Sequence, residues 1–249
     1  MFSFGSGVLL GFRNDIATST PINFGLIQEV GLDIGFDTKE LYGQYQYPVA
    51  IARGKAKFTG KAKLARISGL AFGNLFFGIT PVAGQIATAF GEGPTAIPAT
   101  PFTITPSNAA TFQDDLGVIN AATGLPFTKV ASAPTAGQYS VNATTGVYTF
   151  ASADNVSAIS VLINYTYTIA ATGEKIVVTN QLLGTTPTFQ ANLFTTFQSK
   201  ALNLKVPLCT SSKLSFPTKL DDFVMPDFEF SVYADAAGNV ATWSFGEAS

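Results

Sequence analysis

Strict two-residue alternation of apolar and polar side chains commits several stretches of this chain to β-strands, because only an extended backbone sends successive side chains to opposite faces. From Leu26 the chain reads LIQEVGLDIGFD, which puts Val30, Leu32, Ile34 and Phe36 on one face and Glu29, Asp33 and Asp37 on the other. This is the pattern of a half-buried strand with an acidic outer face. Near the end PDFEFSVYA repeats it, with Phe228, Phe230 and Val232 inward and Asp227, Glu229, Ser231 and Tyr233 outward. In VAIARGKAKFTGKAKLARI, Arg53, Lys55, Lys57, Lys61 and Lys63 fall two or four residues apart, so a regular strand presents all five on one face. Acidic and basic faces this close in sequence are expected to pair across a sheet or between subunits.

Composition removes most chemistry. The 249 residues include no histidine, which excludes Ser-His-Asp and Cys-His nucleophile systems, two-histidine zinc sites and imidazole switches. The single cysteine, Cys209, cannot close a disulfide within the chain and reads as a small buried hydrophobe. There is no P-loop, no Cys-x-x-Cys pair and no GxSxG elbow. Asp114-Asp115 and Asp221-Asp222 are adjacent carboxylates that point to opposite faces of a strand, so they read as turn or cap residues, not a catalytic pair. Neither an enzyme nor a cofactor or metal site is expected. Charged residues are 12% of the chain, about half the roughly 25% of an ordinary soluble domain, and a formal charge of -2 argues against a dedicated nucleic-acid binder.

The amino terminus, MFSFGSGVLLGFRND, lacks a basic n-region and is a poor secretory signal. The uncharged stretch 67–91 contains a GxxxG spacing, yet Ser68, Asn74, Thr80, Pro81 and Gln85 interrupt it, so no membrane span is expected. Within 64–77, Ile67, Leu70, Ala71 and Leu75 change the period to that of a helix, widened by Phe72 and Phe76 and ending near Gly78. From Gly91 the composition shifts to GEGPTAIPATPFTITPSNAAT, a loop leading into an inserted β unit over 95–185. Within it, 138–141 and 147–150 flank NATTG, and 159–169 and 175–182 flank AATGE, so two hairpins are expected. In the last third, 201–209 and 226–234 are strand-like, and Asp235-Ala-Ala-Gly-Asn239 is a turn before 240–245 pairs back. The fold class is therefore mainly β, a sandwich or barrel core over 1–94 and 186–249 with one flanking α-helix and an inserted all-β, immunoglobulin-like domain.

The abundance of aromatics, 22 Phe and 8 Tyr against little charge, suggests extensive burial between proteins. The order strand, glycine-aromatic loop, basic strand and helix in GLIQEVGLDIGFDTKELYGQYQYPVAIARGKAKFTGKAKLARISGLAFGNLFFG, closed by DFVMPDFEFSVYADAAGNVATWSFGE, resembles the tail tube (major tail) proteins of tailed bacteriophages over residues 20–80 and 200–247. The resemblance implies a structural virion protein, made in the cytoplasm of a bacterial host, that forms hexameric rings stacked into a hollow tail tube for DNA ejection. Its implied partners are copies of itself, other tail proteins such as a sheath, terminator or tape measure, and DNA in transit. Asp33, Asp37, Asp227 and Glu229 are then expected to line the lumen. Lys39, Glu40, Leu41, Tyr42, Tyr45 and Tyr47 lie where such proteins carry an extended inter-ring loop, and Arg53, Lys55, Lys57, Lys61 and Lys63 are expected at a subunit or ring contact. The insert resembles β domains displayed on the tube exterior. A capsid decoration or baseplate protein and a β-sandwich carbohydrate-binding module are the competing readings.

Overall fold

The alternating segments form strands. In the computed structural model, which describes residues 5–246 apart from 67, 199 and 219, the first third carries β1 (Val8–Arg13), β2 (Ile22–Asn23), β3 (Ile27–Tyr42) and β4 (Pro48–Leu64). A short helix follows, α1 (Gly69–Ala71), continued by a wider turn over Phe72–Phe76. The middle third contains β5 (Val82–Ala96), β6 (Thr103–Ile104), β7 (Phe112–Asn120), β8 (Thr128–Lys129), β9 (Gln138–Val141), β10 (Tyr148–Phe150), helix α2 (Ser152–Val156) and β11 (Ser160–Lys175). The last third contains β12 (Thr188–Phe197), β13 (Lys200–Ser215), β14 (Asp227–Val232) and β15 (Thr242–Phe245). The chain is mainly β and sandwich-like, with no closed barrel among the described residues. No helix among the described residues is long and apolar enough to cross a membrane.

Two compact units divide the chain, Met1–Pro81 with Ile176–Ser249, and Val82–Lys175. The first is built on one sheet in the order β2-β1-β12-β13-β14-β4-β3, with β15 added to β13. The sheet folds over, so Val30 and Leu32 of β3 line the same small void as Leu9 and Leu193 of β1 and β12. Its core holds Phe24, Phe189, Phe228 and Phe230 in tilted ring contacts, with Phe24 and Phe228 centroids 5.1 Å apart. Each such ring contributes roughly 1.5–3 kcal/mol by leaving water. The helical stretch seats Ala71 and Leu75 in this core. Its carbonyl at Leu75 accepts from Ser211 Oγ (2.9 Å), and Asn74 accepts from the buried Arg13 guanidinium (3.0 Å), which also bonds Asp15 and Thr80. The helix expected over 64–77 is thus real but shorter, since Leu64 ends β4; Ile67, one of its stripe residues, lies outside the described residues.

The second unit packs a three-stranded sheet, β5-β11-β7, against a four-stranded one, β6-β10-β9-β8. Tyr148, Tyr165, Val161 and Ile163 are at its centre. Its limits lie at Val82 and Lys175, not at 95 and 185. The hairpin around NATTG is β9-β10, as expected. The one around AATGE does not form: β11 runs straight through to Lys175, antiparallel to β5, and 176–187 belongs to no strand. Gly173, at φ +81, serves a bulge and not a turn, for β11 advances five residues between Ile169 and Glu174 while β5 advances two. The loop expected from Gly91 begins only after Ala96. Asp235 builds the expected turn, its carboxylate accepting from the amides of Ala237 and Asn239 at 2.9 and 2.8 Å, but β15 pairs with β13.

Candidate functional site

β4 lies between β14 and β3, so register decides which charges meet. Lys61 stands opposite Glu229 on one side and Gly31 on the other; Lys63 stands between Asp227 and Glu29; Thr59 stands between Ser231 and Asp33. All these side chains project from the outer face, because the alternate residues Phe58, Ala62, Phe228 and Phe230 are buried. The acidic and basic rows that the sequence presents separately therefore share one surface. Lys61 Nζ is 3.0 Å from Glu229 Oε1 and Lys63 Nζ is 2.7 Å from Glu29 Oε2. These hydrogen bonds hold both glutamates below the usual carboxylate range and raise both lysines. Where Gly31 removes a side chain, Glu29, Asp33, Lys61, Lys63 and Asp227 rim a shallow hollow of about 300 Å³.

Arg53 departs from this row. Between Phe36 and Thr38 the partner in β4 changes from Ala56 to Arg53, so β4 carries one extra residue there. Such a bulge reverses the alternation beyond it. Arg53 accordingly lies on the opposite face, its guanidinium 4.6 Å from the centre of the Phe36 ring, a cation–π contact. Lys55 sits at the bulge, and Lys57 pairs with Gly35 on the outer face. The expectation that all five cations share one face fails at this single inserted residue.

Beyond β14 the hairpin continues alone. β14 has six residues and pairs only with 58–63 of β4, whereas β3 and β4 run for 16 and 17. The distal part is a two-stranded ribbon in which Lys39 pairs with Ala52, Glu40 with Ile51, Leu41 with Ala50 and Tyr42 with Pro48. The expected extended loop over Lys39 to Pro48 shrinks to 43–47, which holds the exposed Tyr45 and Tyr47. Asp37 lies at the ribbon's base, opposite the bulge. Ile34 and Phe36, read from the alternation as inward, are half exposed, and Val49 and Ile51 are more exposed still. These four apolar residues are the part of the site that alternation misses. The available signal was length, because an alternating strand longer than its partners has nowhere to bury its apolar face.

Among the described residues no group of three or more histidine, cysteine, aspartate or glutamate side chains could hold a metal ion. Cys209 is buried and its thiol is pushed up to about 12 by that burial, which keeps it protonated and unreactive. No protein-family model matches the chain, and no curated protein is similar to it.

Proposed function

We propose that the chain is a tail tube protein, a structural subunit that assembles into stacked rings around a channel for DNA. One observation carries the reading: the distal β3-β4 ribbon exposes Phe36, Val49 and Ile51, with Ile34 at its base, and its strands lack partners on both sides beyond β14. A two-stranded ribbon is marginal alone in water, and exposed apolar side chains clustered on it mark a contact surface, so the ribbon is built to be completed by neighbours. Leu41, Tyr42, Tyr45 and Tyr47 with Lys39, Glu40 and Arg53 then reach a neighbouring ring or subunit. The unit Val82–Lys175 is assigned to the tube exterior.

Asp33, Asp227 and Glu229, with Asp37 at the ribbon's base, are assigned to the channel. They bring Lys57, Lys61 and Lys63 with them, since these occupy the same face. Phosphate binding requires cations free to replace counterions. Lys61 and Lys63 are held by acids of their own chain, and this lets DNA slide past a mixed face without adhering. In assembled virions, Asp227→Lys combined with Glu229→Lys is expected to slow DNA ejection, as it frees Lys61 and adds cations; ejection at the normal rate would remove these residues from the lumen.

Negative-stain electron microscopy of the purified, concentrated protein tests the function itself. Hollow rods or ring-shaped particles are the expected result. Solid particles, or binding to capsids without rods, would replace the tube with a decoration role.

A further inference from the structure

Natural sheets protect their outer edges with charges, proline, bulges or brevity. Most edges in this chain obey. β3 carries Glu29, Asp33, Asp37, Lys39 and Glu40; β7 carries Asp114 and Asp115 beside a register shift; β2, β6 and β8 are two residues each. The longest uncharged stretch on the described edges is in β5, between register shifts and ahead of Glu92 and Pro94; the four-residue β15, TWSF, is uncharged but short. The outer edge of β5 is unpaired, and VAGQIATAFG, residues 82–91, contains no charge. Over 85–89 it pairs with β11 in unbroken register, so its backbone is straight there, and Ile86 and Phe90 are 51% and 85% exposed.

A second unprotected feature matches it. Residues 176–183, IVVTNQLL, are rich in β-formers and uncharged, yet belong to no strand. Val177, Val178, Leu182 and Leu183 are exposed, and residues 177–181 make no hydrogen bond among the described residues. The segment leaves β11 at Lys175, which pairs with Val82 on the already occupied side of β5, away from the free edge.

We infer that residues 176–183 of one copy add as a strand to the free edge of β5, over 85–90, in a second copy of this chain. Each side satisfies the other's open backbone groups, as in strand addition generally. Charge and availability select the partner: a neutral edge takes a neutral strand without stranding an ion, the long strands β3, β4, β7, β11 and β13 all carry charges, and the uncharged β12 is already paired by β1 and β13 on its two sides. Because donor and acceptor are different surfaces, the contact is heterologous and propagates or closes into a ring. The inference rests on the self-assembly part of the proposed function, not on the tube.

Hydrogen exchange followed by mass spectrometry, on dilute and on assembled protein, reads the pairing directly. Assembly is expected to slow exchange across 85–90 and 176–183 by about tenfold or more, as for newly paired strands. In parallel, Ile86→Cys and Val178→Cys variants, each retaining the buried Cys209, are oxidised separately and as a mixture; the joined species is expected in the mixture above the level of either alone. Ile86→Lys, at an exposed position, should raise the concentration needed for assembly. Assembled particles in which both segments exchange as in dilute protein would overturn the inference, as would a chain that stays monomeric at every concentration and orders 176–183 only on another protein. Hollow tubes with both segments unprotected would overturn this pairing and keep the tail tube; protected segments in a particle without a channel would do the reverse.

Discussion

Phe230→Ala is expected to cost the unit containing Trp243 about 3–5 kcal/mol, the range for removing a fully buried aromatic, and Gly60→Ala about 1–3 kcal/mol by overpacking. The two together should cost less than their sum. The Phe230 ring lies directly on the backbone of Gly60: a Cβ placed there would stand 2.1 Å from Cζ and 2.5 and 2.6 Å from the two Cε atoms. Phe230 is 1% exposed and packs against Phe189 and Phe228 as well, so the ring has no direction in which to retreat. Removing the ring opens the space that the new methyl group needs, which is the condition for strong coupling between neighbours. Trp243 is the single tryptophan and lies in this unit, so urea unfolding followed by its fluorescence reports the whole cycle. Costs that add without coupling would show that the ring does not rest on Gly60.

Gly60 also marks the limit of what the sequence disclosed. Within KFTGKAK the lysines are conspicuous and the glycine is mute, since its meaning lies in a ring 170 positions away. Local alternation was legible: the faces of 29–33 and 227–232 are as the pattern requires, and Phe228 and Phe230 are buried. Lateral order was not. Acids on β3 and β14 and bases on β4 look like separate rows until β4 is set between them, and alternation carries no information about which strand neighbours which. The bulge opposite Asp37 was hidden for a related reason, because one inserted residue leaves the local pattern intact while exchanging the faces beyond it, as Arg53 does. Gly173 and the Gly91–Pro94 stretch have the composition of loops, but both fall inside long strands whose bulges absorb such residues, and the expected loop begins only after Ala96. The distal ribbon departs in the other direction: Phe36 has the pattern of a core residue, and its pair with Ala56 lies beyond the end of β14, which leaves it half exposed.

Asp115→Ala is expected to destabilise the unit Val82–Lys175 by about 2–5 kcal/mol, because it leaves buried hydroxyls without partners. The Asp115 carboxylate is 3% exposed and accepts from Tyr139 Oη at 2.8 Å, Tyr148 Oη at 2.9 Å and the Gly117 amide at 3.0 Å, while Lys129 Nζ lies 2.9 Å away. Burial alone would raise its pKa; the bonds from Lys129, Tyr139, Gly117 and Tyr148 outweigh that and hold it below the usual range. Burial, reinforced by the same carboxylate, raises both tyrosines, which stay protonated donors. The sign follows from linkage: a carboxylate with a lowered folded pKa contributes stability that is complete above the unfolded value, about 3.9 for aspartate, and is lost as pH falls through the folded one. Urea unfolding followed by tyrosine near-ultraviolet circular dichroism should therefore show the wild-type unit weakening below about pH 4, where Asp115 binds a proton in the unfolded chain before it does so in the folded one. Asp115→Asn should be weaker at pH 7 and less dependent on pH in that acid range. Tyr139→Phe separates the contributions, since it removes one donor and leaves the carboxylate bonded to Lys129, Tyr148 and Gly117; its cost should be a fraction of the Asp115→Ala cost. Equal costs for the two would mean that the network collapses when any member is lost, and no cost for Asp115→Ala would mean that the charge is not what joins the two sheets of this unit.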